Sequence, residues 1–377
     1  MSDSDCRLVE VIGTSDAEDP IEALRDALTE SLKALVAAGC GPHHLKSMRW
    51  EAADPLRFHP SRHEIELAHR EAFAGFRAPV ALLRVSAPQH RLRVVAQAQA
   101  PAKPSRTGPI YRGYTLPDLA RQYSPRFQTD MNVLFKQWSK DGARFRAGRS
   151  GVDLCYGPGR YETFDLFLPQ DVERPPVWVF VHGGYWQASD KLQHAQFARG
   201  MLDAGFAVAM ANYGLAPETP LPLIVQQVSR LLSYLGDQAE NLSIDASRLH
   251  VVGHSAGAHI AAMIAAQSAV PTVRSVLLLS GLFDLAPLTL LPMGELLKLT
   301  EVAVAEVSPA RMPAPAGVKV ALAVGADESD EFKRQSRVMA STWSAPDPLI
   351  VPGHHFSMLE GLNGGALLEL AQSLAKG

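Results

Sequence analysis

The sequence His182-Gly183-Gly184-Tyr185-Trp186, together with Gly253-His254-Ser255-Ala256-Gly257, decides the fold. Each stretch directly follows a short apolar run, at 177–181 and 249–252, of the kind that forms a buried strand. In the second stretch, glycines stand two residues before and two after the serine, where a strand-to-helix turn is too tight for side chains. In the first stretch, the glycines let backbone N–H groups approach a substrate oxygen. The two motifs, in this order, predict a serine hydrolase.

Size and composition set the broad class. The chain has 377 residues, of which 47% are hydrophobic and 20% charged, and this is enough for two globular domains. The formal net charge is −3, so the chain lacks the excess of positive charge that is typical of nucleic-acid-binding proteins, and we expect no nucleic-acid partner. Gly, Pro or charged residues interrupt the longest apolar runs well before they could cross a bilayer, so we expect no membrane span.

The cysteines and the first residues indicate the compartment. Three scattered cysteines, Cys6, Cys40 and Cys155, argue against a disulfide framework and a zinc site, so we expect no metal and no other cofactor. The polar, acidic start lacks the basic and apolar regions of a signal peptide. We therefore expect a cytoplasmic protein.

A composition shift divides the chain. Residues 97–110 are rich in Pro, Ala and small polar residues, which predicts a domain at 1–98, a linker at 99–110 and a second domain at 111–377. Hydrophobic periodicity in the first domain predicts a small α+β sandwich. Its predicted strands are 6–13, 45–50, 80–85 and 92–98, and a polar turn at 87–91 joins the last two. One predicted helix begins at Asp19-Pro20, and a second spans 61–73.

Strands and helices alternate after the linker. This order predicts an α/β-hydrolase fold, with a mostly parallel sheet and helices on both faces. The predicted strands are 163–168, 178–181, 207–211, 249–252, 275–279, 319–324 and 348–351, and the main helices are 221–235 and 256–267. Residues 282–312 fit no simple strand, and we expect them to form a small lid.

The last two predicted strands supply partners for Ser255. One of the acids within 327–330, and either His354 or His355, follow these strands at the sheet edge where a doubly wound fold gathers its catalytic groups. The histidine would act as base, and the acid would orient it. We expect the N–H groups of Gly183, Gly184 and Ala256 to form the oxyanion hole. For His182 we expect a loop-fixing role, and for His254 and His259 a role either in packing or in supporting the residues of the site.

From about residue 111 to the end, the chain resembles the kynurenine formamidase family of α/β-hydrolases. The matching residues are Tyr123-Ser-Pro-Arg126, Tyr156-Gly157, Thr163 with Asp165–Pro169, both glycine motifs, Val324-Gly325, Glu331-Phe332, Arg334-Gln-Ser336 and His355-Phe356. The resemblance implies a small-molecule substrate, an N-formyl aryl amine, from which formate is released. It places Glu328 in the acid position, ahead of Asp327 and Asp330, and makes His355 the base. Tyr185 and Trp186 directly follow the glycine loop, so they belong either to the core or to a pocket wall. In the second case we expect them, with Phe283, to stack against the aryl group.

The first domain resembles the RidA-type imine deaminases. The helix after Asp19-Pro20, the turn 38–40, the run 73–85 and the strand 92–98 carry this similarity. The family's active site has an arginine shortly after a proline, but Val80-Ala-Leu-Leu83 follows Pro79 here. We therefore expect no deaminase activity, and a structural role in homo-oligomer assembly instead.

Two other functions remain open on the sequence alone. A carboxylesterase acting on small acyl esters would use the same three residues. A non-enzymatic pseudo-hydrolase, with the first domain as a ligand-binding or assembly module, is opposed by the intact Ser255, His355 and nearby acids.

Overall fold

The computed structural model describes residues 7–37, 40, 45–52, 65, 68, 80–84, 90, 92–100, 109–125, 129, 131–267 and 273–376. The chain divides into two compact units, residues 1–115 and 116–377. Each unit has its own sheet and its own hydrophobic core. In the described parts of the chain, no helix has the length and apolar character needed to cross a membrane.

The described residues of the first unit form a four-stranded sheet and the helix α1 (Pro20–Ala37). The strands are β1 (Arg7–Ser15), β2 (Leu45–Ala52), β3 (Val80–Arg84) and β4 (Leu92–Ala100). Helix α1 begins where the sequence predicts, because the Asp19 carboxylate accepts the N–H groups of Ile21 and Glu22 at 3.0 and 2.8 Å. At Gly13 a Cβ would stand 1.9 Å from a carbonyl oxygen of α1, so only glycine allows this close approach of strand and helix.

The strand order in this sheet is β1-β4-β2-β3. Strand β4 pairs with β1 and β2, both antiparallel, whereas β3 pairs with β2 in parallel. The strands at 80–85 and 92–98, expected to be joined by a polar turn, are therefore not neighbours. Val94, Val95 and Ala96 are almost fully buried, which suits β4 to a central position between two partners.

Several predictions for this unit fall on residues outside the described ranges. Only residues 65 and 68 of the predicted helix 61–73 are described, and both are helical. Strand β4 extends to Ala100, so the first two residues of the predicted linker belong to the sheet, and 101–108 lie outside the described residues. The resemblance to imine deaminases stays a prediction.

The second unit is an eight-stranded sheet flanked by helices. Its strands are β5 (Leu154–Cys155), β6 (Thr163–Phe167), β7 (Pro176–Val181), β8 (Ala207–Ala211), β9 (Asp245–His254), β10 (Val273–Leu279), β11 (Lys319–Gly325) and β12 (Leu349–Val351). Its α-helices are α2 (Leu116–Gln122), α3 (Met131–Arg146), α4 (Arg199–Asp203), α5 (Leu221–Asp237), α6 (Ala256–Ala266), α7 (Pro292–Leu296), α8 (Glu301–Val307), α9 (Asp330–Thr342) and α10 (Ala366–Lys376). Short 3₁₀ turns lie at Lys191–Gln193, Ala195–Ala198, Ala286–Leu290, Pro309–Arg311 and Ser357–Asn363.

The order of this sheet is β12-β11-β10-β9-β7-β8-β6-β5. The strands from β12 to β8 run parallel, and β6 pairs antiparallel with both β8 and β5. Every residue of β8 is buried, as expected for a parallel strand covered on both faces. The predicted α/β-hydrolase fold is confirmed, with all seven predicted strands present. The two-residue strand β5 and the helices α2, α3 and α4 were not predicted from the sequence.

A buried charge fastens helix α3 to the antiparallel strand β6. Asp165 is fully buried, and its carboxylate accepts from Nε of Arg146 at 2.7 Å and from Nζ of Lys191 at 2.7 Å. Buried carboxylates are stable in a protein interior only when paired in this way. Asp165, one of the residues that carry the family resemblance, therefore has a structural role.

The predicted lid, 282–312, consists of short helices rather than strands. Helices α7 and α8 and two 3₁₀ turns lie within it, and Leu282, Leu285 and Leu288 are fully buried. The segment is thus anchored to the second unit by apolar side chains, and its movement as a lid stays a prediction.

Candidate active site

Ser255 occupies the sharp turn between β9 and α6. Its backbone has φ 56° and ψ −118°, a conformation that L-residues rarely adopt. Its N–H donates to the carbonyl oxygen of Leu279 at 2.8 Å, which ties the turn to the neighbouring strand β10. A Cβ at Gly253 would stand 2.2 Å from the carbonyl oxygen of Gly257, and one at Gly257 would stand 2.0 Å from that of Val181. Both positions are glycine because the turn leaves no room for a side chain.

The loop after β7 runs directly against this turn. Gly184 has φ +105°, and a Cβ there would lie 2.1 Å from the carbonyl oxygen of Ala188. A Cβ at Gly183 would lie 3.0 Å from the Cβ of Ser255. Within the described part of the chain, the N–H groups of Gly183, Gly184 and Ala256 donate no hydrogen bond. Because N–H groups in a protein interior are normally paired, these three are available to a ligand.

Glu328 and His355 meet at the ends of β11 and β12. Oε2 of Glu328 lies 2.7 Å from Nδ1 of His355, and both side chains are buried. Oε1 of Glu328 accepts the N–H of Gly325 at 2.8 Å and the hydroxyl of Ser280. Since the carboxylate engages Nδ1, the remaining ring nitrogen Nε2 is the one suited to exchange a proton with a third group.

The other candidates for base and acid have different surroundings. Asp327 and Asp330 are exposed, and Asp330 opens helix α9. Nδ1 of His354 accepts the N–H of Phe356 at 3.2 Å, which gives His354 a role in the local turn. Glu328 and His355 are the acid and the base that a hydrogen bond joins in this structure.

The surroundings of Glu328 keep its carboxyl ionised. Burial raises the pKa of Glu328, but the facing His355, the Ser280 hydroxyl and the Gly325 N–H outweigh this and lower the pKa below its ordinary value. At neutral pH the group is therefore a carboxylate that accepts a hydrogen bond from the imidazole.

His254 connects the nucleophile turn to the segment that carries His355. Its Nε2 lies 2.8 Å from the carbonyl oxygen of His355, and the two rings are 4.7 Å apart. Because a carbonyl only accepts, Nε2 of His254 carries the proton. Ser255 and His355 themselves share no hydrogen bond among those of the described residues, and such contacts often form only when substrate is bound.

The three predicted pocket residues differ in exposure. Tyr185 is half-buried, and its hydroxyl donates to the carbonyl oxygen of Tyr123. Trp186 is fully buried, and its indole N–H donates to Nδ1 of His259 at 3.2 Å, because a buried indole needs an acceptor. Phe283 is also fully buried. Neither ring of Trp186 and Phe283 is exposed in this conformation, so their stacking against an aryl group stays a prediction.

His182 is a buried support of the glycine loop. Its Nδ1 lies 2.8 Å from the carbonyl oxygen of Gly183, and its ring stacks on Tyr213 with centroids 4.4 Å apart. The Tyr213 hydroxyl donates to the His182 carbonyl oxygen at 2.7 Å. Burial lowers the pKa of His182, so the ring is neutral, and these contacts fit the loop-fixing role expected from the sequence.

A polar cluster around Tyr123 was not predicted. The Tyr123 hydroxyl donates to Glu331 at 2.7 Å and accepts from Nε2 of Gln335 at 3.0 Å. The carbonyl oxygen of the Gln335 side chain accepts the N–H groups of Phe283 and Asp284 at 2.9 and 2.8 Å. The cluster holds the segment before α3 against α9 and against the start of 282–312. The family resemblance marks Tyr123, Glu331 and Gln335, but more than 200 positions separate the partners along the chain, so no local pattern pairs them.

Ser280 was also missed as a partner of Glu328. The available signal was its position, since it directly follows β10, the strand between the one that leads to Ser255 and the one that leads to Glu328. A small polar residue at such a strand end can reach an acid that follows the adjacent strand.

Comparisons with known proteins support the fold and the hydrolase class. The BD-FAE family model matches residues 164–277. The chain is 30% identical over 273 residues to the kynurenine formamidase of Salmo salar, an alignment that covers 66% of this chain and 92% of that protein. It is 32% identical over 196 residues to the kynurenine formamidase of Danio rerio, which covers 49% of this chain and 66% of that protein.

Among solved structures, the chain superposes with a TM-score of 0.60 on a protein of Silicibacter sp. TM1040, which is described as a candidate thioesterase. The identity is 32%, over 65% of this chain and 94% of that one. The chain thus shares both sequence and architecture with hydrolases over most of its second unit's length.

Proposed function

Because this chain belongs to the kynurenine formamidase family, we propose that it hydrolyses the formamide bond of an N-formyl aryl amine and releases formate. The observation that carries the proposal is the Ser255 turn, set beside the buried Glu328–His355 pair in a chain of this family. The relatives' name supplies the substrate class, and the geometry supplies the chemistry that such a bond requires.

The first half of the reaction forms a formyl ester on Ser255. Its hydroxyl oxygen attacks the formyl carbon while Nε2 of His355 takes the hydroxyl proton. Glu328 holds the ring by its contact with Nδ1 and stabilises the imidazolium. When the C–N bond breaks, His355 returns the proton to the leaving aryl amine.

The second half hydrolyses this ester. Water attacks the formyl carbon while His355 removes a proton from the water. His355 then gives this proton to the ester oxygen of Ser255 as formate leaves. In both halves the developing oxyanion accepts hydrogen bonds from the unpaired N–H groups of Gly183, Gly184 and Ala256. One such donor typically contributes about 2.7–4 kcal/mol to stabilising the transition state.

We assign Tyr185 to the substrate side of this site. It directly follows the glycine loop, and of the three predicted pocket residues it alone retains exposed surface. Its hydroxyl is already engaged with the Tyr123 carbonyl, so the face of the ring is the part that an aryl group would contact.

A carboxylesterase acting on small esters is the competing function, because the same residues would cleave an ester and the fold does not choose between the two. The test is formate release by the full chain from N-formylkynurenine and several N-formylanilines, beside turnover of 4-nitrophenyl acetate. Serine-dependent formate release that exceeds ester turnover would support the formamidase. Ester turnover without formate release would replace it with the esterase.

Ser255→Ala is the variant that ties either activity to this site. We expect it to lower kcat by at least about a thousandfold, as removal of a serine nucleophile does elsewhere. A fluorophosphonate probe that failed to label Ser255, together with absent turnover of both substrate classes, would instead indicate a pseudo-hydrolase.

Two further assignments are proposals that rest on the sequence. A cytoplasmic location is supported by the scattered, odd set of cysteines. Assembly of a homo-oligomer through the first unit is supported by its resemblance to imine deaminases. Light scattering on the full chain and on residues 111–377 alone would test the second assignment.

A further inference from the structure

Ser280 is a buried hydroxyl placed behind the acid of the site. The residue follows β10 directly, is fully buried and has φ +48°. Its N–H donates to the carbonyl oxygen of Ala323 at 2.9 Å, which fixes the backbone between β10 and β11. Its Oγ contacts Oε1 of Glu328 and lies 2.9 Å from the sulfur of Met358. A hydroxyl has one proton to give, and a carboxylate is a far better acceptor than a thioether.

We propose that Ser280 is a positioning residue for the hydrolysis: its hydroxyl holds Oε1 of Glu328 so that Oε2 stays directed at Nδ1 of His355. The inference rests on the proposed function, in which Glu328 orients the base. A glutamate side chain has one more rotatable bond than an aspartate, so its carboxylate needs more support to stay in one orientation. Without Ser280, the N–H of Gly325 is the remaining donor to Oε1 among the described residues.

Histidine and aspartate side chains of the adjoining segments lie near Glu328. The segment after β12 contributes His355 and His354, and the loop of Glu328 itself contributes Asp327. From β9, His254 packs against His355 and is kept neutral by burial, which lowers its pKa. The residue that follows β10 contributes the hydroxyl of Ser280. The hydroxyl is thus a neutral donor whose loss changes no net charge.

The effect on pH dependence has a definite sign. The Ser280 hydroxyl is one of the groups that lower the pKa of Glu328, because it donates to the ionised carboxylate. Removing the hydroxyl therefore raises the pKa of Glu328. The acid limb of the pH–rate profile should therefore move to higher pH.

The test is the pH dependence of kcat/KM for 4-nitrophenyl acetate, and of the rate at which a fluorophosphonate labels Ser255. For Ser280→Ala we expect the acid limb of both to move up by about half to one pH unit, and kcat to fall about tenfold. Ser280→Gly removes the same hydroxyl while relieving the positive φ, so it should show the same shift, even if the alanine variant folds poorly.

Ser275→Ala is the matched control. Ser275 lies on β10, the strand that Ser280 follows, and is fully buried. Its hydroxyl pairs with Nδ1 of His250 at 2.8 Å. Its loss should leave the profile unchanged. The proposal is overturned if the profiles of both Ser280 variants superimpose on that of the wild type while Glu328→Gln is inactive. If Glu328→Gln keeps its activity, the acid assigned in the proposed function is wrong instead.

Discussion

Nε2 of His254 lies 2.8 Å from the carbonyl oxygen of His355, so the residue before the nucleophile holds the segment that carries the base. Burial, and then the neighbouring His355, lower the pKa of His254 well below its ordinary value. The link is therefore a neutral N–H donor. This hydrogen bond fixes the distance between the turn after β9 and the segment after β12. Because the donor is neutral, it places no second charge beside the base.

Replacing His254 should impair catalysis by loosening His355. His254→Phe keeps a ring of similar size but removes the donor, and it leaves the buried carbonyl of His355 unpaired. We expect kcat to fall about tenfold or more, and the free energy of unfolding to fall by about 1–3 kcal/mol. Steady-state kinetics and urea denaturation measure the two effects.

The control for this variant is His250→Phe, on the same strand. His250 is also buried, but its partner is the hydroxyl of Ser275. It should lower stability without lowering kcat. Equal kcat for His254→Phe and the wild type would show that the link does not position the base.

The glycine loop should tolerate no side chain at Gly184. A Cβ there would lie 2.1 Å from a backbone carbonyl oxygen, and the residue has φ +105°. Gly184→Ala should destabilise the protein by more than about 2 kcal/mol and abolish most of the activity, because the loop that carries the N–H donors must move.

Gly236→Ala is the opposite case. Gly236 lies within helix α5, and nothing stands within 4 Å of the Cβ it would gain. We expect a gain in stability of about 0.5–1 kcal/mol and unchanged kinetics. Thermal melting and formate release, measured on Gly184→Ala and Gly236→Ala, test both predictions. A gain in stability for Gly184→Ala would contradict the loop geometry.

The hydrogen bond from Trp186 to His259 should contribute to stability rather than to substrate binding. Trp186→Phe removes an indole N–H that donates a hydrogen bond. Trp178→Phe is the control: it removes a similar side-chain volume, but the Trp178 indole N–H is buried without a partner among the described residues. The first variant should therefore be less stable than the second by about 1–2 kcal/mol. Urea denaturation of both, with KM measured alongside, tests this, and a large rise in KM for Trp186→Phe alone would return that residue to the pocket.

Acid should destabilise the second unit through its buried histidines. Burial, with a contribution from His182, lowers the pKa of His194 to about 3, and burial lowers the pKa of His259 to about 4. The unfolded chain protonates such groups near pH 6.5, so their stabilising contribution is complete above that pH and is lost progressively as the pH falls towards about 4. Each group should contribute a slope of about 1.4 kcal/mol per pH unit in this window.

The free energy of unfolding in urea, measured between about pH 7 and 4.5, gives this slope. His194→Phe removes one of the titrating groups and keeps an aromatic ring among Trp138, Phe180 and Phe197. Its slope should be smaller by about one group's share. A stability that does not change across this range would contradict the buried, neutral state of both histidines.

Local patterns were enough for the parts of the site that are contiguous in sequence. The glycine spacing around Ser255 follows from steric limits within a five-residue turn, and the structure shows the same limits as short distances to backbone atoms. The alternation of apolar runs likewise predicted all seven of the longer strands in the second unit, because buried parallel strands need continuous apolar sequence. Short or weakly apolar elements such as β5 and α3 carry no such signal.

Pairings between distant segments were not available from any local pattern. In the first unit, β4 takes a central position between β1 and β2, although the sequence places it next to β3. Trp186 follows the glycine loop, as a pocket residue would, yet the fold turns its indole towards His259. Both outcomes depend on the folded chain: it determines which strands lie beside β4 and which acceptor lies within reach of the Trp186 N–H.

The sequence by itself determined the fold class of the second unit, the nucleophile turn and the glycine loop, because each depends on residues a few positions apart. The tertiary structure decided that Glu328, rather than Asp327 or Asp330, faces His355, and it added Ser280 behind the carboxylate. The reason is geometric: these groups follow β10, β11 and β12, and only the packing of adjacent parallel strands sets which of their side chains point at each other.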